Sequence, residues 1–337
     1  MVLWSCGFNT CGQLGLGDRN IRRNLVKVPE QVFKFVSCGN NHIMAIDQEG
    51  HLWACGNNDY GQLGLGDQLR RQKLEKVSNQ KFVSISCGNR HTLAVDEKNC
   101  LWSCGYNNRG QLGHGDLLSK TKLTKVSEEK FISVSCGDRH TAAIDENGCL
   151  WTCGSNSDSQ LGLGDQKVRH ILTKVVVGDN DNEDSNNNDN KRKFVFVSCG
   201  AWSTMALDQE GYLWGCGNNV SGELGLGDTK AKSRLTKIDG YQFVSFSCGN
   251  YHTVALDQDG SLWSCGNNFR GQFGHNDTIN RLSWTKITEP NYPFTSVSCG
   301  GYFTMAIDTK GGLWGCGNNH SGQLGLNNHE SHFILIK

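Results

Sequence analysis

Cysteine and histidine recur at short spacing, and this is the first pattern in the chain that could carry chemistry. The spacing Cys-x-x-x-His occurs at Cys38/His42, Cys87/His91, Cys136/His140 and Cys248/His252. Each pair supplies two metal ligands, whereas a structural zinc site needs four, and no Cys-x-x-Cys pair is present. We therefore expect the sixteen cysteines to be mostly small buried thiols in a reducing compartment, with no metal site.

Glycine-rich segments such as Gly61-Gln-Leu-Gly-Leu-Gly66 form the second pattern. Loops of this composition can cradle phosphate, but these lack Gly-Lys-Ser/Thr and lead to no predicted helix. No Ser/His/Asp arrangement and no pair of carboxylates stands out from the surrounding pattern. The sequence therefore predicts no covalent catalytic residue and no cofactor.

Both patterns belong to a long internal repeat. Tryptophan recurs at positions 4, 53, 102, 151, 214, 263 and 314, with spacings of 49, 49, 49, 63, 49 and 51 residues. Each period contains four short strand-like segments, A to D, and no apolar stripe of helical period is present. Four strands in about 50 residues, repeated, are typical of β-propeller blades. The sequence thus predicts an all-β fold and a single propeller domain over residues 1–337, rather than two domains.

The 63-residue spacing contains fourteen residues more than its neighbours. The surplus is an Asn/Asp-rich tract that starts at Gly178 and is too polar to bury apolar surface. We expect residues 178–193 to form a disordered loop insert.

The repeat resembles that of the regulator-of-chromosome-condensation family. The matching pattern is Leu-Trp-x-Cys-Gly-x-Asn-x-x-Gly-Gln-Leu-Gly-Leu-Gly-Asp, followed by Val-Ser-Cys-Gly-x-x-His-Thr-x-Ala-x-Asp. The resemblance implies a seven-bladed propeller. Members include the exchange factor for the GTPase Ran, which also binds nucleosomes, the plant UV-B photoreceptor, domains of HECT-type ubiquitin ligases, and interaction scaffolds. Fold is therefore better specified than function.

The count of hairpins departs from that family. The chain contains seven C–D hairpins but six A–B hairpins, because it opens on a strand C and stops at the end of a strand D, Lys337. We expect a seven-blade layout with one incomplete, two-stranded blade, whose unpaired edges favour association. Closure on six blades and a truncated sequence are the alternatives.

The resemblance places a partner-binding site on the A–B loops, since Asp and His there take part in GTPase contact in the exchange factor. Ser203 and Phe303 replace His in two loops. The photoreceptor's Gly-Trp-Arg-His-Thr is matched by Trp202 alone, so light sensing is not expected. The predicted A–B residues are His42, Arg90, His91, Asp138, Arg139, His140, Trp202, Tyr251, His252 and Tyr302.

Charge is segregated although the net charge is zero. The C–D windows that run from the loop Asp to the strand-D Lys sum to +13, whereas the B–C turns sum to −9. A–B and C–D loops share one end of an antiparallel blade, so this polarity is either a solvated rim or an oriented binding surface. The predicted basic residues are Arg22, Arg23, Arg70, Arg71, Lys120, Lys122, Lys167, Arg169, Lys230, Lys232 and Arg234.

These observations predict a protein–protein interaction propeller, with a Ran-like small GTPase as the implied partner and nucleotide exchange as the only implied activity. The alternatives are a scaffold that recruits targets to a ubiquitin ligase, and a chromatin- or nucleosome-binding protein. No secretory signal and no apolar run of about 18 residues is visible. We therefore expect no membrane contact and a cytoplasmic or nuclear location.

Overall fold

The computed structural model describes residues 2–177 and 192–337. The described residues form 23 β-strands and no helix. In chain order the strands are β1 Val2–Gly7, β2 Arg22–Cys38, β3 His42–Asp47, β4 His51–Gly56, β5 Arg71–Cys87, β6 His91–Asp96, β7 Cys100–Gly105, β8 Lys120–Cys136, β9 His140–Asp145, β10 Leu150–Gly154, β11 Arg169–Lys174, β12 Phe194–Cys199, β13 Ser203–Asp208, β14 Leu213–Gly217, β15 Lys232–Lys237, β16 Ser245–Cys248, β17 His252–Leu256, β18 Leu262–Gly266, β19 Arg281–Lys286, β20 Phe294–Cys299, β21 Phe303–Asp308, β22 Leu313–Gly317 and β23 His332–Ile336.

Consecutive strands pair antiparallel to form six four-stranded blades, numbered 1 to 6, with A strands that end at Cys38, Cys87, Cys136, Cys199, Cys248 and Cys299. The long strands β2, β5 and β8 each serve as strand D of one unit and strand A of the next, which joins β1 to β11 in one continuous sheet. The hairpin of β1 with the first part of β2 forms a two-stranded seventh unit, called here the partial blade. The predicted propeller with seven C–D and six A–B hairpins is confirmed for the described residues.

The ring closes through the partial blade. In each repeat a bridge joins the C–D loop to the D strand of the following blade, as between Leu16 and Lys73, and the bridge between Leu326 and Asn24 joins blade 6 to the partial blade in the same way. The Cys6 thiol donates to the Gln323 carbonyl at 3.4 Å. In the same way, the strand-C thiols of Cys55 and Cys104 donate to the carbonyls of Gln13 and Gln62, each in the C–D loop of the preceding unit. The structure therefore shows seven units around the ring, not six.

The core lies between the blades rather than within them. Between blades 1 and 2, for example, Met44, Ile46 and Leu52 pack against Phe82 and Ile85. Because each blade buries its apolar face on its neighbour, a ring of small sheets can exceed the size of an ordinary single core. That residues 1–337 form one domain remains a prediction, and the 178–193 insert lies outside the described residues except for Arg192 and Lys193.

Apolar side chains are uncovered on both sides of the partial blade. Val36 is 40% exposed, whereas the matching Ile85 of blade 2 is 3% exposed. In blade 6, Ile307 and Leu313 are 41% and 39% exposed, although their counterparts in the other blades are buried. The partial blade has no A–B hairpin among the described residues to cover these positions, and the expected association through this edge remains a prediction.

An aspartate anchors the B–C turn of every four-stranded blade. In blade 2, Asp96 accepts hydrogen bonds from the Trp102 indole at 2.8 Å and from the amides of Lys98 and Cys100 at 2.9 Å each. The other five blades repeat the Trp-to-Asp bond at 2.8–2.9 Å. Each strand-C tryptophan of these blades is therefore oriented by the turn that precedes it.

Substitution of Asp96 by Ala should lower the free energy of unfolding by about 2–4 kcal/mol, because it leaves an indole and two amides without an acceptor in a buried place. Asp96 is 6% exposed, whereas the adjacent Glu97 is exposed. Urea denaturation of Asp96→Ala and of the control Glu97→Ala tests this. The control should change stability by no more than about 0.5 kcal/mol, and equal losses in the two variants would contradict the assignment.

Candidate functional site

The A–B and C–D loops lie together at one end of the blades, as predicted. Within each blade the residue that follows the strand-C glycine donates its amide to the A–B loop, for example Asn57 to Asn41 at 2.7 Å and Tyr106 to Arg90 at 2.8 Å. We call this surface the loop face. It comprises A–B loops at 39–41, 88–90, 137–139, 200–202, 249–251 and 300–302, and the C–D loops that follow strand C in all seven units.

The four A–B histidines are buried and cannot contact a partner directly, so the prediction that placed them at the interface is corrected. His42, His91 and His140 are 0% exposed and His252 is 1% exposed. Glycine precedes each of them by three residues and leaves room for the ring: a Cβ on Gly88 would lie 2.5 Å from Cε1 of His91. The sequence pattern could not reveal this, because the packing involves residues from the next blade.

Each of these histidines joins its blade to the next one. His42 Nε2 lies 3.0 Å from Thr92 Oγ1, and the Thr92 hydroxyl donates its hydrogen to the Gln62 carbonyl at 2.8 Å. Because the hydroxyl hydrogen is used, His42 must donate from Nε2. The same bond is formed by His91 with Thr141, His140 with Thr204 and His252 with Thr304. We call it the inter-blade His–Thr bond.

Burial holds these imidazoles neutral. Desolvation, aided by a neighbouring histidine for His42 and His91, lowers the pKa of His42, His91 and His252 to about 3, and desolvation lowers the pKa of His140 to about 4. Partial burial also lowers the pKa of His114 and His275. Near neutral pH the four buried imidazoles are therefore uncharged.

Most of the predicted basic residues are neutralised by an aspartate of their own loop. The strand-D residue Arg71 lies 2.7 Å from Asp67, four residues earlier, and 2.6 Å from Glu75. Its guanidinium holds the pKa of Asp67 below the usual range. The same spacing pairs Arg22 with Asp18, Lys120 with Asp116, Arg169 with Asp165, Lys232 with Asp228 and Arg281 with Asp277, and Arg70 pairs with Asp59.

The remaining basic residues of the predicted set are exposed and make no ion pair within the described part of the chain. They are Arg23, Lys122, Lys167, Lys230 and Arg234. On the opposite face, the B–C turns include the six aspartates that hold tryptophan. The ion pairs at four-residue spacing lie within the counted windows, so they leave the net charge of the loop face unchanged but reduce the number of free cations on it. The recurring Asp-x-x-x-Arg/Lys spacing was the sequence signal for the ion pairs.

The A–B loop position before the histidine carries the exposed chemistry of the loop face. Its residues differ from blade to blade: Asn41, Arg90, Arg139, Trp202, Tyr251 and Tyr302. Arg90 and Arg139 are exposed, and Tyr302 is 38% exposed, while Trp202 and Tyr251 are partly buried. The structure therefore brings together the arginines of blades 2 and 3 and, beside them, the aromatic residues of blades 4 to 6.

The loops around this position are tied to one another. Asn40 donates to Asn89 at 3.2 Å, Asn89 donates to Asp138, and the Asp138 amide donates to the Ala201 carbonyl at 3.2 Å. Arg139 lies 3.6 Å from the Asp138 carboxylate. Asp138 is thus partly engaged in contacts within the protein, and these hydrogen bonds connect the A–B loops in one rim.

Tyr60 and Tyr106 are loop-face residues that the sequence analysis missed. Their ring centroids are 4.5 Å apart, and the Arg90 guanidinium lies 5.1 Å and 6.0 Å from the two rings. Arg90 also donates to the Tyr60 hydroxyl at 3.1 Å. The two tyrosines lie in the C–D loops of consecutive blades. In the sequence they are a weak signal of a site, because only the fold brings the two loops together.

One group of side chains has the composition of a metal site. Asp47, Glu49 and His51, on the B–C turn of blade 1, bring their ligand atoms within 4.8 Å of one another. Asp47 already accepts from the Trp53 indole at 2.8 Å and from the His51 amide at 2.8 Å. The group is therefore part of the turn, and we assign no metal site to it.

Among the described residues, no helix has the length and apolar character needed to cross a membrane.

Removal of one buried histidine should change the pH dependence of stability in a defined way. Since the unfolded chain binds protons near pH 6.5 and the folded chain only near 3–4, stability is full above pH 6.5 and falls as the pH is lowered toward 4. Each histidine contributes at most about 1.4 kcal/mol per pH unit. His252→Phe, the residue found at this position in blade 6, should reduce the slope by one proton.

Urea denaturation at several pH values between 4 and 7 measures this slope. The control Thr304→Val removes the hydrogen-bond partner of His252 but keeps the titrating group, so it should lower stability with the slope unchanged. A His252→Phe slope equal to that of the unmodified protein would contradict the buried, neutral state.

Sequence and structure comparisons agree on one family. The RCC1 repeat profile matches residues 2–46 and 49–95, a second RCC1 repeat profile matches 33–62 and 82–111, and the RCC1-like domain profile matches 116–336. In a search of curated proteins, none matches the chain.

Solved structures share the fold at low identity. Human WBSCR16 superposes with a TM-score of 0.84 at 20% identity, over 99% of this chain and 92% of that chain. The crystal structure of Kap60 bound to yeast RCC1 (Prp20) gives 0.84 at 19% identity, over 100% and 83%. Prp20p from Saccharomyces cerevisiae, described with its binding properties to Gsp1p and histones, gives 0.84 at 20%, over 99% and 85%.

Proposed function

Because the chain belongs to the regulator of chromosome condensation (RCC1) repeat family, we propose that it is a protein-docking propeller whose loop face binds a partner, and that this partner is a Ran-type small GTPase. The observation that carries the proposal is the variable A–B position described above. Around the ring this position presents two arginines and three aromatic residues. Arg, Tyr and Trp are the residues that most often dominate binding energy at protein interfaces.

The repeated framework of the blades supports a docking role, because its recurring polar side chains already form hydrogen bonds within the protein. The repeated Asn, Asp, His and Thr side chains bond to the backbone or to the neighbouring blade, as Asn58 does to Asp67 and His42 to Thr92. The variable A–B position is presented on three-residue loops between paired strands. Such a surface is pre-organised, so binding costs little ordering of the protein.

Nucleotide exchange would need no covalent residue. A propeller that binds the nucleotide-free GTPase more tightly than the loaded form shifts the GTPase toward release, in proportion to that difference in affinity. Yeast Prp20p, with the same fold, is described by its binding to Gsp1p. In the present chain the interface would use Arg90 and Arg139 rather than the buried histidines.

Release of fluorescent GDP from purified Ran-type GTPases tests this proposal. We expect the full chain to accelerate release and to form a complex with the nucleotide-free GTPase. The double variant Arg90→Ala/Arg139→Ala should weaken that complex at least tenfold, whereas Lys98→Ala, an exposed cation on the opposite face, should not change it. Absence of both release and complex would exclude the GTPase, and a complex without release would favour the scaffold.

A second candidate, chromatin binding, is favoured by the exposed cations of blades 2 to 4. Lys122, Lys167, Lys230 and Arg234 are exposed and make no ion pair among the described residues. Phosphate contacts by such groups make DNA binding steeply salt-dependent, with a slope of about −0.9 per contact. Substitution of all four by Ala should flatten the slope of log K against log salt by up to about 3.6. An unchanged slope would remove these residues from the DNA contact.

A further inference from the structure

Three aromatic residues form a continuous row on one half of the loop face. Trp202, Tyr251 and Tyr302 occupy the same A–B loop position in blades 4, 5 and 6. The ring centroids of Trp202 and Tyr251 are 5.0 Å apart with planes at 40°, and those of Tyr251 and Tyr302 are 6.3 Å apart at 32°. We call this row the aromatic arc. Its rings are close and only moderately tilted, so they offer adjacent π surfaces.

Elsewhere on the loop face, a pair of tyrosines at similar spacing already binds an arginine. Tyr60 and Tyr106 are 4.5 Å apart, and the Arg90 guanidinium lies 5.1 Å from the Tyr60 ring. An arginine is thus bound by two tyrosines within this molecule through cation–π contact. Within residues 2–177 and 192–337, no cation lies over Trp202, Tyr251 or Tyr302.

Two aspartates lie near the Trp202 end of the aromatic arc. The Asp138 amide bonds to the Ala201 carbonyl, next to Trp202, at 3.2 Å. Asp158 accepts a hydrogen bond from the side-chain amide of Asn218 at 3.5 Å. The backbone N–H of Asn218 donates to the Trp202 carbonyl at 2.9 Å. Arg139 offsets part of the Asp138 charge at 3.6 Å, whereas Asp158 forms no ion pair with any described residue.

A buried glutamate also lies near the aromatic arc. Glu223, 2% exposed, stands where the six other repeats have glutamine, and burial raises its pKa. Burial, Tyr302 and the carboxylates of Glu223, Asp158 and Asp138 together raise the pKa of Tyr251. Nucleic acid also stacks on aromatic rows, but it does so in positively charged grooves. The carboxylate of Asp158, which forms no ion pair with any described residue, therefore favours a cation.

Exposed apolar residues flank the aromatic arc. Val220 is 62% exposed and Phe269 is 66% exposed, on the C–D loops of blades 4 and 5, and the Arg270 guanidinium lies 5.1 Å from the Phe269 ring. The amides of Asn218 and Asn267, two residues before them, bond to the carbonyls of Trp202 and Tyr251 at 2.9 and 2.8 Å. These loops thus border the aromatic arc and supply apolar surface on its outer side.

We propose that the aromatic arc, together with Asp158, binds an arginine side chain that a protein partner presents between apolar residues. A planar guanidinium stacks on aromatic rings and bonds to a carboxylate in the same approach, which an ammonium group does less well. Val220 and Phe269 then contact the neighbouring apolar residues of the partner. The inference rests on the proposed function, since it assigns the chemistry of the partner that docks on the loop face.

A pair of matched peptides tests the inference on the full chain. The probe is acetyl-Gly-Leu-Arg-Leu-Gly-amide, and its control carries citrulline, which has nearly the shape of arginine without the charge. Binding is measured by surface plasmon resonance with immobilised protein. We expect the arginine peptide to bind at least tenfold more tightly than the citrulline peptide. Equal binding of the two peptides, or binding of neither, would overturn the inference.

Two variants locate the binding, and one serves as a control. Tyr251→Leu and the nearly isosteric Asp158→Asn should each weaken the arginine peptide at least fivefold. Tyr60→Leu removes a tyrosine of the same face outside the aromatic arc and should leave binding unchanged. Unchanged binding in both Tyr251→Leu and Asp158→Asn would refute the site, and Asp158→Asn remains informative if Tyr251→Leu does not fold.

The same variants separate this inference from the proposed function. If a GTPase complex forms but the arginine peptide binds no more tightly than the citrulline peptide, the arginine site is wrong while docking on the loop face stands. If the arginine peptide binds through the aromatic arc but no GTPase complex forms, the GTPase is wrong and the arginine site stands.

Discussion

The close approach of each C–D loop to the next blade is the constraint on which the rest of the structure depends. The loop backbone passes so near the following D strand that a Cβ on Gly61, whose φ is +83°, would lie 2.5 Å from the Cα of Thr121. Only glycine avoids this clash, and a bridge such as Leu65 to Lys122 follows from the contact. The glycines of the C–D loops are therefore a requirement of the joints between blades rather than a sign of flexibility.

This constraint determines where function can lie. Asn58, which bonds to Asp67 at 3.0 Å, and His42, which bonds to Thr92, look like chemical groups in the sequence, yet both are 0% exposed and hold loops and blades together. The positions that the frame leaves free are few, and the A–B position before the histidine is foremost among them. A frame that repeats around the ring thus presents a face that does not repeat, with arginine on blades 2 and 3 and aromatic residues on blades 4 to 6.

The fold was largely predictable from the sequence, because the repeat fixes hairpin number and the alternation of buried residues. The way the ring closes was not, since it depends on contacts such as that of Asn24 with Leu326, which are distant in sequence. The site was predictable only in part. Trp202, Tyr251 and Tyr302 lie in A–B loops as predicted, and their role in binding stays a prediction, whereas His140 is bonded to Thr204 of the next blade and the charge of Arg71 is offset by Asp67.

The joints beside the partial blade lack the inter-blade His–Thr bond, as does the joint between blades 4 and 5, where Ser203 replaces histidine. The inter-blade His–Thr bond needs histidine on one blade and threonine on the next, but blade 6 has Phe303 and blade 1 has Ile43 at these positions. Neither residue can form the bond, so these joints rely on apolar contact and on the bridge to Leu326. The hydrogen-bonded blades 1 to 4 therefore give the arginines a firmer support than the partial blade gives its neighbours. Tyr302 stands on blade 6, next to one of the joints without this bond, and Trp202 and Tyr251 stand on the two sides of another, so the aromatic arc lies on the part of the ring with fewer such bonds.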